Sequence, residues 1–163
     1  AIFTKEPGGT DIGLKLRMMA LNGEAKSKIA EMFLFMADRA EHIEEVIKKN
    51  KNDTIISDRS MISGIAYASA LSIDELINLN LIATNNTLPT HVILLELTPH
   101  ELKFRLSQKE NDSIELRGID YLINIQNRMK ETIKRLNINH IIIDASLKIE
   151  EIEKKIEDFI NGE

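Results

Sequence analysis

Residues 54–67 read TIISDRSMISGIAY, and the fold turns on how this stretch is read. Thr54 to Ser57 is expected as a short buried strand that delivers Asp58 and Arg59 at its carboxyl end. A small-residue segment carrying Ser63 and Tyr67 follows. Open α/β sheets bind their ligands outside the carboxyl ends of the strands. A guanidinium placed there is suited to phosphate, because its planar fork matches a pair of oxygens. The remaining chain can then be searched for what would surround a phosphate.

Composition narrows the search. A chain of 163 residues, 43% hydrophobic and 29% charged, is long enough for one globular domain with a core of its own. With 26 acidic and 21 basic residues the net charge is -5, so no broad cationic surface for nucleic acid is implied and any anion must be met locally. The absence of cysteine excludes disulfides and thiolate metal sites and agrees with a reducing compartment. No apolar run approaches the roughly 18 residues of a membrane span. The first residues do not read as a secretory signal. A soluble cytoplasmic protein, bound to neither membrane nor nucleic acid, is the expectation.

Ahead of the deciding stretch, Ala1 to Thr4 reads as a strand broken by Lys5-Glu6-Pro7-Gly8-Gly9-Thr10. Proline fixes one backbone angle and paired glycines allow a sharp turn, so the backbone could come close to a ligand here; an ordinary turn has the same composition. Thr10 or Asp11 can cap a helix whose apolar stripe is Ile12, Leu16, Met19 and Ala20, with Arg17 off it. From Ser27 to about Asn50 runs the longest helical pattern, with Ile29, Met32, Phe33, Met36, Ala40, Ile43 and Ile47 on one face. That face is core or a subunit interface. Phe35 and Arg39 stand one turn apart beside it, a ring for stacking and a guanidinium for edge hydrogen bonds, as a nucleobase would need. The alternative is a core phenylalanine beside a solvated arginine.

Beyond the stretch, Ser72 and Glu75 form a capping-box pattern for a helix over 73–85, which Leu88-Pro89 stops. Val92 to Leu97, VILLEL, suits a largely buried strand of a parallel sheet. Thr98-Pro99-His100-Glu101 combines cap, first-turn proline and acid, so a helix enters at Pro99. Residues 109–118 are charged and read as an exposed, mobile segment, whose Arg117 is a solvated charge or a phosphate hand on a closing lid. A helix over 119–136, a strand over 140–143 ending at Asp144, and a helix capped by Ser146 complete the chain, the last with Ile149, Ile152, Ile156 and Phe159 as its buried stripe. Alternation of this kind predicts a parallel sheet with helices on both faces.

With these residues placed, the chain resembles the bacterial thymidylate kinases over its full length. EPGGT at 6–10 with Gly13 and Arg17, FLFMADRAEH at 33–42, Asp58-Arg59 with Ser63 and Tyr67, and Ile143-Asp144-Ala145 each resemble a family segment. The resemblance implies a three-layer α/β fold of the P-loop NTPase type and transfer of the ATP γ-phosphoryl group to dTMP, with Mg2+ as cofactor. It implies that Phe35 stacks on thymine, Arg39 bonds its edge, Arg59 holds the dTMP phosphate near the transferred group, and Arg17 is a second monophosphate contact. Tyr67 would lie against the deoxyribose, Asp58 near the magnesium through water, and Lys5, Glu6, Pro7, Ser63 and Gly64 around the substrate. It also implies a homodimer through helix 27–50 and its neighbours.

Several positions depart from the family pattern. Lys5 replaces an arginine, so a bidentate contact becomes a point charge. Gly64 and Ala68 stand where relatives place a serine or asparagine and a glutamine. In the mobile segment, Asp112-Ser113-Ile114-Glu115 carries serine where a lid arginine is common, which moves the catalytic lid role to Arg117. The family's opening strand, phosphate loop and helix are not in the sequence, a unit of roughly 25–30 residues. Without that strand, two apolar strand edges would be left unpaired, so the sequence is expected to be an amino-terminally incomplete form of a kinase. Two other readings stand beside this one: a deoxynucleoside kinase, against which residues 5–10 argue, and a non-catalytic nucleotide-binding or dimerising module.

Overall fold

The computed structural model describes residues 1–108 and 117–162. They form two compact units, Ala1–Leu88 and Pro89–Glu163. Residues 109–116, most of the expected lid with its Asp112-Ser113-Ile114-Glu115, lie outside the described residues.

In the first unit, β1 (Ile2–Lys5) pairs in parallel with β2 (Ile55–Asp58), Ile2 opposite Ile55 and Lys5 opposite Asp58. Parallel strands need a long crossover, and α1 (Asp11–Leu21) and α2 (Lys28–His42) supply it. Thr10 caps α1 by accepting from the Gly13 N–H, and Ser27 caps α2 by accepting from Ile29 and Ala30. These side chains satisfy amide donors that a helix start leaves without partners. After β2 come α3 (Met61–Tyr67), capped by Ser60, and α4 (Ile73–Ala83), where Ser72 and Glu75 complete the expected capping box. Met32, Met36 and Ile43 from the α2 stretch meet Met61, Ile62, Ile65, Leu76 and Ile77 in the core.

In the second unit, β3 (His91–Glu96) pairs in parallel with β4 (Asn139–Asp144), and α5 (Pro99–Ser107) and α6 (Ile119–Leu136) lie between them in the chain. α7 (Ile149–Asn161) follows β4. Among the described residues of this unit, Leu94, Ile125, Ile133, Ile138 and Ile143 are the buried apolar ones.

Parallel strands alternating with helices are as the sequence predicts, while several local expectations need correction. Residues 54–57 are not a buried strand: Ile55 is half-buried, and Thr54, Ile56 and Ser57 are exposed. β3 likewise alternates between exposed and covered positions, with Leu95 exposed. Each of these strands pairs along one edge only among the described residues, which leaves more of its surface open. The buried face of α1 is Gly13 and Ala20, with Ile12 and Met19 exposed. At Gly13 an added Cβ would run into Asp38, so a residue without a side chain fits there. The α2 pattern does not continue as one α-helix to Asn50. Ile43–Ile47 is a π-helical turn in which the Lys48 N–H donates to the Ile43 carbonyl. Ile29 and Phe33, expected on the apolar face, are exposed. Ser146 does not cap α7; it donates from its N–H and hydroxyl to Asp144, and Lys148 begins the helix. Ile149, expected in the buried stripe of α7, is exposed.

Candidate active site

The two strand-end turns of the first unit are tied together, because the Glu6 N–H donates to the Asp58 carbonyl at 3.0 Å. Around them the fold gathers the arginines. Arg17, off the apolar stripe of α1, lies back on the first turn and donates from Nη1 to the Pro7 carbonyl at 3.1 Å. The Glu6–Pro7 peptide is cis.

Arg59 has a left-handed backbone (φ 67°), and the Ser57 hydroxyl donates to its carbonyl at 2.7 Å. A non-glycine residue in that region costs on the order of 1–3 kcal/mol and persists where its surroundings hold it. The Arg59 side chain reaches over the Tyr67 ring, 5.5 Å from its centroid, which brings together two residues the sequence predicted for one site. Asp58 and Lys5 are exposed at the ends of their strands, and Ser63 and Gly64 are partly covered on α3. Phe35 is half-buried on α2. Arg117 belongs to the other unit, where it donates to the Tyr121 hydroxyl at 3.1 Å and lies over that ring.

Arg39 is not a solvated charge. Only 4% exposed, it donates from Nε to Glu6 Oε2 at 2.8 Å and from Nη1 to Asn80 Oδ1 at 2.6 Å. Glu6 Oε1 lies 2.9 Å from His42 Nδ1. The carboxylate can only accept, so Nδ1 carries a proton. The other ring nitrogen, Nε2, lies 2.7 Å from the Thr4 hydroxyl. Burial raises the Glu6 carboxyl, but the hydrogen bond from His42 and the charges of Arg39 and His42 outweigh it, so the group sits below its ordinary 4.5.

Asp38, also buried on α2, accepts from the Gly8 N–H at 2.8 Å. Burial pushes its carboxyl above the ordinary 3.8, the Gly8 bond opposing and the nearby Glu6 charge assisting. Gly9 in the first turn and Gly13 in α1 fit these side chains. A Cβ at Gly9 would lie 2.7 Å from His42 Cδ2, and one at Gly13 would lie 2.4 Å from Asp38 Oδ1. The turn and the start of α1 are therefore moulded on α2, and Gly9 and Gly13 serve close packing.

Asp38, His42 and Asn80 were not among the predicted site residues. Asp38 and His42 are adjacent on the helical surface, four residues apart. Asn80 lies one turn from Leu76 on the buried side of α4, and a polar side chain on such a face must be bonded.

Among the described residues no three His, Cys, Asp or Glu side chains gather as a ready-made metal site. The exposed carboxylate of Asp58 nonetheless fits Mg2+, which keeps several waters and takes most other ligands from substrate phosphates.

Comparison with known proteins fixes first the class, then the family. Over 96% of this chain and 79% of the other, the fold matches a crystal structure of thymidylate kinase from Ehrlichia chaffeensis, with a TM-score of 0.70 at 18% identity. That likeness gives an α/β fold of the P-loop NTPase type. The family model described as thymidylate kinase matches residues 1–156. A thymidylate kinase of Aliarcobacter butzleri is 81% identical over 161 residues, 99% of this chain and 85% of the relative. One from Wolinella succinogenes is 53% identical over 156 residues, 96% of this chain and 82% of the relative. The chain belongs to the thymidylate kinase family, a family of nucleoside monophosphate kinases. No helix of the described residues is long and apolar enough to cross a membrane.

Proposed function

We propose that the protein transfers the γ-phosphoryl group of ATP to dTMP, and that the first unit holds the dTMP. The observation that carries this is the gathering of Arg17, Arg39 and Arg59 around two bonded turns, with Tyr67 under one guanidinium. Phosphoryl transfer asks the protein mainly for position and charge neutralisation. Arg59 and Arg17 hold the monophosphate, Phe35 stacks on the base, Arg39 bonds its edge, and Tyr67 lies against the sugar. Lys5, Glu6, Pro7, Ser63 and Gly64 complete the surroundings. Asp58 would hold Mg2+ through water, and the ion would supply neutralisation of the charge that develops during transfer. Arg117 is the lid cation of the second unit.

The protein is further read as a cytoplasmic homodimer associating through α2 and its neighbours. Ile29 and Phe33 on α2 and Leu14, Met18 and Leu21 on α1 are exposed apolar side chains of the sort an interface covers.

A coupled ATP-consumption assay on the full-length protein, with dTMP, thymidine and dUMP as acceptors, tests the function. Turnover with dTMP is expected, abolished by Arg59→Ala with the fold intact. Turnover with thymidine and none with dTMP would instead identify a nucleoside kinase, and binding without turnover a nucleotide-binding module.

A further inference from the structure

We propose that Asn80 and Gly64 are positioning residues that set the Arg39 guanidinium to select a pyrimidine with a carbonyl, not an amino group, at its 4-position. The inference rests on the reading above that Arg39 addresses the base of dTMP.

A guanidinium is a fork of five donors with no acceptor. Two of those donors are used inside the protein, Nε by Glu6 and Nη1 by Asn80. The two partners come from different elements, the end of β1 and the middle of α4, so together they fix both the position and the plane of the group. Asn80 is itself immobilised. It is 1% exposed, and its amide nitrogen donates to the Leu76 carbonyl at 2.7 Å, which leaves its oxygen facing Arg39. Exchange of amide nitrogen and oxygen would break both bonds.

Three donors remain, the second N–H of Nη1 and both of Nη2, and Nη2 has no acceptor among the described residues. Buried donors are almost always bonded, so an open edge on a buried arginine points to a ligand. Nη2 lies against the bare backbone of Gly64: a Cβ there would sit 2.6 Å from Nη2 and 3.2 Å from both Cζ and Nη1. Any side chain at 64 would drive the guanidinium from the place where Glu6 and Asn80 hold it. Ser63 and Tyr67 flank Gly64 on α3, and both belong to the proposed nucleotide site. A donor edge presented there attracts a base carbonyl and opposes an exocyclic amine, which is also a donor. Thymine carries the carbonyl, and cytosine carries the amine.

Equilibrium titration of dTMP and dCMP into the full-length protein, together with turnover on each, tests this. The unaltered protein should prefer dTMP. Asn80→Leu removes the acceptor and Gly64→Ala presses a Cβ against the guanidinium. Each should lower the dTMP-to-dCMP preference by about 10- to 100-fold, the range expected when a positioned group is displaced by about an ångström. ATP affinity should be unchanged, and Asn80→Asp, which keeps an oxygen towards Nη1, should retain most of the preference. If Asn80→Leu does not fold, Gly64→Ala decides alone. Should Arg39→Met collapse the preference while Asn80→Leu and Gly64→Ala leave it intact, the positioning role is wrong and the base-edge reading of Arg39 stands. Should Arg39→Met itself leave the preference intact, the base-edge reading fails with it.

Discussion

Glu6→Gln is the substitution with the most direct consequence. Glu6 accepts from Arg39 at 2.8 Å and lies 2.9 Å from His42 Nδ1, with side-chain exposures of 8%, 5% and 1% for the three residues. Glutamine has almost the same shape, so little packing is lost. What is lost is the negative charge, and the Arg39 guanidinium is left buried with only neutral acceptors. Breaking a buried ion pair by removing one partner costs about 3–5 kcal/mol, and because glutamine keeps one acceptor oxygen the lower end applies. A loss of about 3 kcal/mol in a chain of this size lowers the midpoint of thermal unfolding by about 6–12 °C.

The pH dependence has a definite sign. The folded Glu6 carboxyl titrates below its ordinary 4.5, so its stabilising effect is complete above that value and is lost as pH falls through the folded one. The gap between parent and variant should therefore be flat near neutrality and close on acidification below 4.5. Differential scanning calorimetry across pH reads both quantities. A variant melting within about 2 °C of the parent near neutrality would contradict a buried ion pair. A gap that widened on acidification would refute the sign.

Three other substitutions probe the same unit. Gly13→Ala places a Cβ 2.4 Å from Asp38 Oδ1, so α1 and α2 must separate; a loss of about 1–3 kcal/mol in chemical denaturation is expected, as for other overpacked contacts. Asp38→Asn keeps an oxygen for the Gly8 N–H and removes a carboxyl whose folded value lies above 3.8. In the parent, this group makes stability fall as pH rises from 3.8 through the folded value, so that component of the slope should vanish in the variant and denaturation midpoints against pH will show it. Phe35→Ala should raise the Michaelis constant for dTMP by about tenfold or more, corresponding to about 1–3 kcal/mol of lost base stacking; an unchanged constant would return Phe35 to the core.

Much of the fold was legible because its signals are local. Ser72 with Glu75, and Thr98 with Pro99, mark helix starts through bonds made within a few residues, and both starts are where those signals put them. The segment after Asp58 was harder. Its small residues hid α3, although Ser60 as cap and Ile62, Ile65 and Ala66 at helical spacing were the available signs. In the candidate site, the sequence marked out Arg17, Arg39 and Arg59 as residue types that meet phosphate or base, and Tyr67 for the sugar. It could not show that Arg39 is buried, because that depends on Glu6 and Asn80, 33 and 41 residues away in the chain. The closeness of Gly9 to His42 and of Gly13 to Asp38 is likewise a fact of packing. A helical period marks which face is covered, and only the assembled unit shows what covers it.

A crystal structure of the full-length protein with dTMP tests the central claim most directly. The monophosphate should lie between Arg59 and Arg17, with thymine on Phe35 and its 4-carbonyl accepting from Arg39 Nη2 beside Gly64. A dTMP phosphate bound away from Arg59, or a base turned from Arg39 with Nη2 still open, would contradict it.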